Sequence, residues 1–120
     1  DFLGISDFRD NSATSLPFGK QRLLEIARAM AADPKLILLD EPAAGLNNKE
    51  TEDLAEVIEN INLKGVSILV IEHDMSFIMD LCEEILVLNF GSPIAEGSPS
   101  EIQTNEMVIK AYLGDDSIDF

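Results

Sequence analysis

The chain has 120 residues, enough for one ordinary domain. Eight Lys and Arg against 23 Asp and Glu leave a formal net charge of −15, which repels nucleic-acid phosphate and speaks against sequence-independent nucleic-acid binding. Hydrophobic residues make up 46%, too many for a disordered acidic tail, while the apolar runs at 36–39 and 68–71 are too short to cross a bilayer, so no direct membrane insertion is expected.

Residues 1–15 are mixed and polar, with Phe2, Leu3, Ile5 and Phe8 as apolar anchors. No basic-then-apolar signal segment opens the chain, and a reducing, cytosolic compartment is expected. The spacing predicts a helix over 20–32, with Leu23, Ala27, Met30 and Ala31 on its apolar face and Asp33-Pro34 as its stop. Four cations (Lys20, Arg22, Arg28, Lys35) against two acids (Glu25, Asp33) give the stretch 16–36 a local net of +2. That region either contacts an anion or is an exposed helix face with ordinary salt pairs, such as Glu25 with Arg28. Charge alone favours the exposed face.

Lys35 to Asp40 reads as a strand, continuously apolar at 36–39 as in a sheet buried on both faces. A helix over 48–63 follows, with Asn47 and Glu50 forming a capping-box pattern. Leu54, Val57, Ile58 and Ile61 share its apolar face; Glu52, Asp53, Glu56 and Glu59 read as solvated surface, and Lys64-Gly65 closes it. A second buried strand spans 66–71. A short helix over 75–82 offers Phe77, Ile78 and Leu81 for packing, with Met75 and Met79 as core filler. The single cysteine, Cys82, excludes an internal disulfide and a multi-cysteine zinc site, and its apolar neighbours suggest a buried thiol. A third strand covers 85–88, and Asn89-Phe90-Gly91-Ser92 turns it into a short strand at 93–96. Ser98, Pro99 and Glu101 begin a further helix; Ile109, Tyr112 and Leu113 end the packed part before an acidic tail, 114–120.

Strand, helix, strand, helix, strand predicts an α/β fold of parallel strands with helical crossovers. Parallel strands end on one edge, where open α/β sheets bind ligands. Asp40 and Glu41 leave the first strand there, Glu72 and His73 the second. An apolar strand ending in Asp-Glu suits a magnesium–nucleotide site: one acid holds Mg²⁺, usually through water, and the next orients or deprotonates an attacking water. Alone, the same pair is also a plain acidic turn. His73 is either structural or a sensor of a γ-phosphate, and its edge favours the second reading. Leu16-Pro17-Phe18-Gly19-Lys20-Gln21-Arg22 leads into a helix N-terminus, which offers N–H groups and a positive dipole end to an anion. By itself this segment is equally a simple Pro-Gly helix entry.

Together these motifs resemble the ATP-binding-cassette (ABC) transporter ATPases over essentially the whole chain. Leu16, Pro17, Phe18, Gly19 and Lys20 resemble the family signature, with Gln21 beside them, and residues 36–41 resemble Walker B with its catalytic glutamate. Ala44-Gly45-Leu46-Asn47 is similar to the D-loop and His73 to the switch histidine. Within the family, LPFGKQRLLEIARAM, LILLDEPAAGLN, ILVIEHDM and NFGSPIAEGSP resemble the ATPase subunits of branched-chain amino-acid importers. The resemblance implies ATP and Mg²⁺ as ligands, Glu41 and His73 as catalytic residues and Asp40 as the magnesium residue. It also implies that the signature and the D-loop (Gly45, Leu46, Asn47) act on nucleotide across a head-to-tail dimer. The implied partners are a second ATPase subunit and membrane-spanning permease subunits, with no nucleic acid. The implied location is peripheral, on the cytoplasmic face of the cell membrane.

Two departures stand out. The family signature usually reads Leu-Ser-Gly-Gly-Gln, whereas Pro17, Phe18 and Lys20 replace its Ser, first Gly and Gln. Pro17 supplies neither hydroxyl nor N–H, so any phosphate contact leans on Gly19 and neighbouring backbone. No G-x-x-x-x-G-K-[ST] occurs, so the phosphate-cradling P-loop half is missing from this sequence. The resemblance therefore implies a C-terminal part of a nucleotide-binding domain: 1–18 as the end of the helical subdomain, 19–97 as the ATPase core fragment, and 98–120 as a helical segment and tail. Two alternatives are a stand-alone interaction module that kept the fold without catalysis, and a small metal-dependent hydrolase using Asp40, Glu41 and His73.

Overall fold

A computed structural model describes residues 17–113. Leu16, the anchors Phe2, Leu3, Ile5 and Phe8, and the tail 114–120 lie outside the described residues. The chain divides into two compact units between His73 and Asp74.

In the first unit, helix α1 runs Phe18–Met30, two residues earlier at each end than the spacing predicts. Pro17 (φ −54°) stands at the N-cap with no side-chain cap, and its fixed φ already suits helix entry. The Gln21 N–H closes the first turn on the Pro17 carbonyl at 3.0 Å. Asp33, at φ 51°, takes the left-handed conformation that ends the segment before Pro34. The buried face is Leu23 and Ile26, not the expected Leu23, Ala27, Met30 and Ala31. Ala31 falls beyond the helix and is exposed.

Strands β1 (Leu36–Asp40) and β2 (Ser67–Ile71) pair in parallel, Leu36 opposite Ser67 through Asp40 opposite Ile71. Helix α2 (Asn48–Leu63) is the crossover between them. Its capping box is complete: Asn47 Oδ1 accepts the Glu50 N–H at 2.8 Å, and Glu50 Oε1 accepts the Asn47 N–H at 3.1 Å. Leu54, Ile58 and Ile61 are buried, Val57 only half-buried. Gly65, at φ 97°, turns the chain into β2 in a conformation that disfavours a side chain. Glu52, Glu56 and Glu59 are exposed, and Asp53 pairs with Lys49 at 3.0 Å.

One expectation fails here. The run at 36–39 is not buried on both faces: Ile37 is 4% exposed, but Leu36 and Leu38 are 54% and 66% exposed. Leu69 and Ile71 continue that open face on β2, at 54% and 57%. An uncovered apolar face of adjacent strands is an association surface. The purified chain is therefore expected to self-associate in light scattering, and Leu38→Lys with Leu69→Lys to reduce the scattering mass. A monodisperse wild-type monomer would contradict this.

In the second unit, Asp74 caps helix α3 (Met75–Leu81) by accepting the Phe77 N–H at 3.2 Å. Phe77, Ile78 and Met79 are buried, and Leu81 is half-buried. Cys82 lies just after the helix rather than in it, half-buried instead of buried; its partial burial still pushes the thiol pKa up. Strands β3 (Ile85–Asn89) and β4 (Ser92–Gly97) form an antiparallel hairpin. Among the described residues β3 pairs with β4, as the turn at 89–92 predicts. Phe90 (φ 50°) and Gly91 (φ 79°) form the two-residue turn, whose positive φ values match the twist of a hairpin and let adjacent segments zip together. Helix α4 (Pro99–Gln103) opens with a Ser98–Glu101 capping box, followed by α5 (Glu106–Val108) and a π-helical turn, Ile109–Leu113. Ile102 and Val108 are fully buried; Ile109 is half-buried, and Tyr112 is 45% exposed with its hydroxyl donating to the Leu88 carbonyl. Among the described residues no helix is long and apolar enough to cross a membrane.

Candidate functional site

Parallel pairing brings the carboxyl ends of β1 and β2 to one edge, with Asp40 opposite Ile71. The Glu41 N–H donates to the Ile71 carbonyl at 2.7 Å, extending the ladder by one bond. Glu41 itself has φ 49°, an uncommon conformation for a residue with a side chain, and its carbonyl accepts the Ala44 N–H at 3.1 Å. The chain therefore turns sharply as it leaves the strand. From β2, His73 reaches back so that Nδ1 lies 3.1 Å from Glu41 Oε1. A carboxylate is an acceptor, so this contact places a proton on Nδ1 and, in a neutral ring, leaves Nε2 as the acceptor. Both side chains are open to solvent, Glu41 at 52% and His73 at 74%.

Glu72 behaves differently, with a side chain only 1% exposed. Its Oε2 accepts the Ala43 N–H at 3.1 Å and its Oε1 the His73 N–H at 3.2 Å. Asp40 is exposed at the strand end, where its carboxylate forms no hydrogen bond or ion pair among the described residues. No three His, Cys, Asp or Glu are gathered to hold a metal ion among the described residues. One open carboxylate does suit magnesium, which keeps most of its waters and comes with nucleotide phosphates.

A second cluster joins the predicted signature to the predicted D-loop. Phe18, Gly19, Lys20 and Gln21 form the first turn of α1. The Gly19 N–H donates to Glu50 Oε2 at 2.9 Å, so an internal carboxylate sits at this helix start. Arg22 Nη2 donates to the Ala44 carbonyl at 3.3 Å, and the guanidinium lies 5.0 Å from the centre of the Phe18 ring. Gly45, at φ 78°, packs so closely that an added Cβ would come within 2.7 Å of Phe18 Cε1. Leu46 is half-buried, and Asn47 is committed to the α2 cap. The expected Glu25–Arg28 pair is replaced by Arg22–Glu25 at 3.5 Å.

Of the candidates, Glu41 and His73 touch, with Asp40 adjacent, and Phe18 and Gly19 gather with the 44–47 loop. Sequence reasoning placed Glu50 in the α2 capping box, Arg22 in the basic stretch and Glu72 on the strand edge, but gave none of them a part in the site. Glu72 carries a signal in hindsight, being an acid directly before the only histidine and after an apolar strand.

Comparison with known proteins follows the same lines. A family model described as ABC transporter matches residues 1–44, and one described as branched-chain amino acid ATP-binding cassette transporter matches residues 92–117. The chain is 47% identical over 114 residues to the high-affinity branched-chain amino acid transport ATP-binding protein BraF of Pseudomonas aeruginosa. It is equally similar to the high-affinity branched-chain amino acid transport ATP-binding protein LivG of Salmonella typhimurium. Each alignment covers 94% of this chain and 45% of the relative, so the chain spans less than half the length of these proteins. Its fold is similar to the crystal structure of the ADP conformation of MJ1267, an ATP-binding cassette of an ABC transporter, with a TM-score of 0.86 and 30% identity over 95% of this chain and 46% of that one. With two family models, these relatives and the fold in agreement, the chain belongs to the ABC transporter ATP-binding proteins, of the branched-chain amino acid type.

Proposed function

We propose that the chain is part of a subunit that binds and hydrolyses ATP to drive import, with branched-chain amino acids as the transported class. The contact of His73 Nδ1 with Glu41 Oε1 at 3.1 Å, on the carboxyl edge of parallel strands, is the observation that carries this reading. The share of the domain present supports a division of labour. Asp40 would hold magnesium through water, and the ion would supply positive charge against the negative charge of the nucleotide phosphates. Glu41 orients an attacking water and accepts its proton through the carboxylate oxygen that His73 leaves open. His73 fixes the Glu41 carboxylate by donating from Nδ1. The first turn of α1 offers a positive helix end, and the Gly19 N–H in exchange for its bond to Glu50, to the γ-phosphate of an ATP held by a partner subunit. Pro17 removes a hydroxyl from that contact, so backbone carries it. The partners are a second ATPase subunit, arranged head to tail, and permease subunits, which place the protein peripherally on the cytoplasmic face of the membrane.

The test is magnesium-dependent phosphate release by the full-length subunit, wild type against His73→Ala. The variant is expected to lower kcat by about 10²-fold with little change in KM for ATP, because it removes orientation and not binding. A raised KM with unchanged kcat would make His73 a binding or structural residue. No turnover in the wild type would favour the non-catalytic interaction module.

A further inference from the structure

The Glu41–His73 pair depends on backbone that neither residue holds in place. Glu41 sits at φ 49°, which persists only where the surroundings impose it. The turn after it, 42–44, has two side-chain anchors: Arg22 Nη2 donates to the Ala44 carbonyl at 3.3 Å, and the Ala43 N–H donates to Glu72 Oε2 at 3.1 Å. The other oxygen of the same carboxylate accepts the His73 N–H at 3.2 Å and lies 3.7 Å from His73 Nδ1. One buried carboxylate thus ties the exit of β1 to the exit of β2, across 29 residues of sequence. A carboxylate with 1% of its side chain exposed is costly unless its oxygens are satisfied, and both are, by backbone donors.

We propose that Glu72 is a positioning residue for ATP hydrolysis, holding the turn that carries Glu41 and the backbone of His73 so that their side chains meet. This inference rests on the functional reading above. With its side chain buried, Glu72 acts through Glu41 and His73. The same carboxylate steadies the entry to the 44–47 loop, because Ala43 directly precedes it and its carbonyl accepts the Leu46 N–H at 3.2 Å.

The experiment uses the full-length subunit. Glu72→Ala is expected to lower kcat about 10²-fold, with KM for ATP unchanged, because displacement of catalytic groups by about 1 Å has effects of that size. Glu72→Gln keeps the shape and one acceptor but turns an amide N–H₂ toward one of the two donors, so its kcat is expected between wild type and Glu72→Ala. In the Glu41→Gln background, measured by single turnover, Glu72→Ala should add almost nothing, since the group it positions is already gone. A purely structural glutamate would lose the same factor in both backgrounds. Full activity in a folded Glu72→Gln or Glu72→Ala, additive losses, or failure of both variants to fold would overturn the proposal. A wild-type subunit without magnesium-dependent turnover would instead overturn the functional reading itself.

Discussion

Replacing Glu41 with Gln in the full-length subunit is expected to lower ATP turnover by about 10²- to 10⁴-fold, the range of a positioned general base. ATP affinity is expected to stay close to wild type. The amide keeps the length and planarity of the side chain, and its oxygen can still accept from His73 Nδ1. Gln and Glu have the same branching at Cβ, so the left-handed backbone at φ 49° is no harder for the variant to adopt. What disappears is the capacity to take a proton and the charge that orients the water. With chemistry stalled and binding intact, the variant should accumulate as an ATP-bound dimer, seen as a nucleotide-dependent shift in light-scattering mass. Near-normal turnover would remove Glu41 from this role and leave Asp40 or a solvent base in its place.

The second large effect concerns the 120-residue chain by itself, which is expected to release no measurable phosphate from magnesium–ATP. Phosphoryl transfer is mostly positioning and charge stabilisation. The groups that cradle the β- and γ-phosphates, the Gly-rich loop and its lysine, are not in this sequence. Glu41, His73 and Asp40 then surround no held phosphate, however well they are arranged. Rigorously purified chain, assayed with and without magnesium, decides the point. Magnesium-dependent turnover approaching an ordinary enzyme rate of about 10 s⁻¹ would show that the P-loop is dispensable.

Much of the fold was legible because its signals are local. The bounds of α2 follow from an Asn cap, a Glu three residues on and a Gly exit, all within one stretch of sequence. The meeting of Glu41 with His73 followed from topology alone, since parallel strands share an edge. Four features were not legible, each for a physical reason. Helix α1 starts at Phe18 because Pro17 sets the entry angle by its ring, whereas sequence rules look for a polar cap. Its register against the core selects Ile26, which the periodic pattern left off the buried face. Arg22 takes Glu25 as a partner while also engaging the Ala44 carbonyl and the Phe18 ring, so tertiary contacts decided a pairing that helical spacing left open. Glu72 was hidden for a related reason: at a strand exit, Glu41 and Glu72 look alike in sequence, yet one side chain is 52% exposed and the other 1%.

The hydrogen bond from the Gly19 N–H to Glu50 Oε2 makes two helix starts share one acid. The other oxygen of that acid closes the capping box of α2. A phosphate arriving at Gly19 therefore meets an exchange of anions and not an open donor, and the displaced carboxylate belongs to another helix. Linkage makes the relation reciprocal. Whatever tightens the hold of Glu50 on Gly19 weakens anion capture at α1, and anion capture loosens that hold by the same factor. The first turn of α2, on the far side of the 44–47 loop, would thus register an anion held at the start of α1 through the Glu50 carboxylate they share.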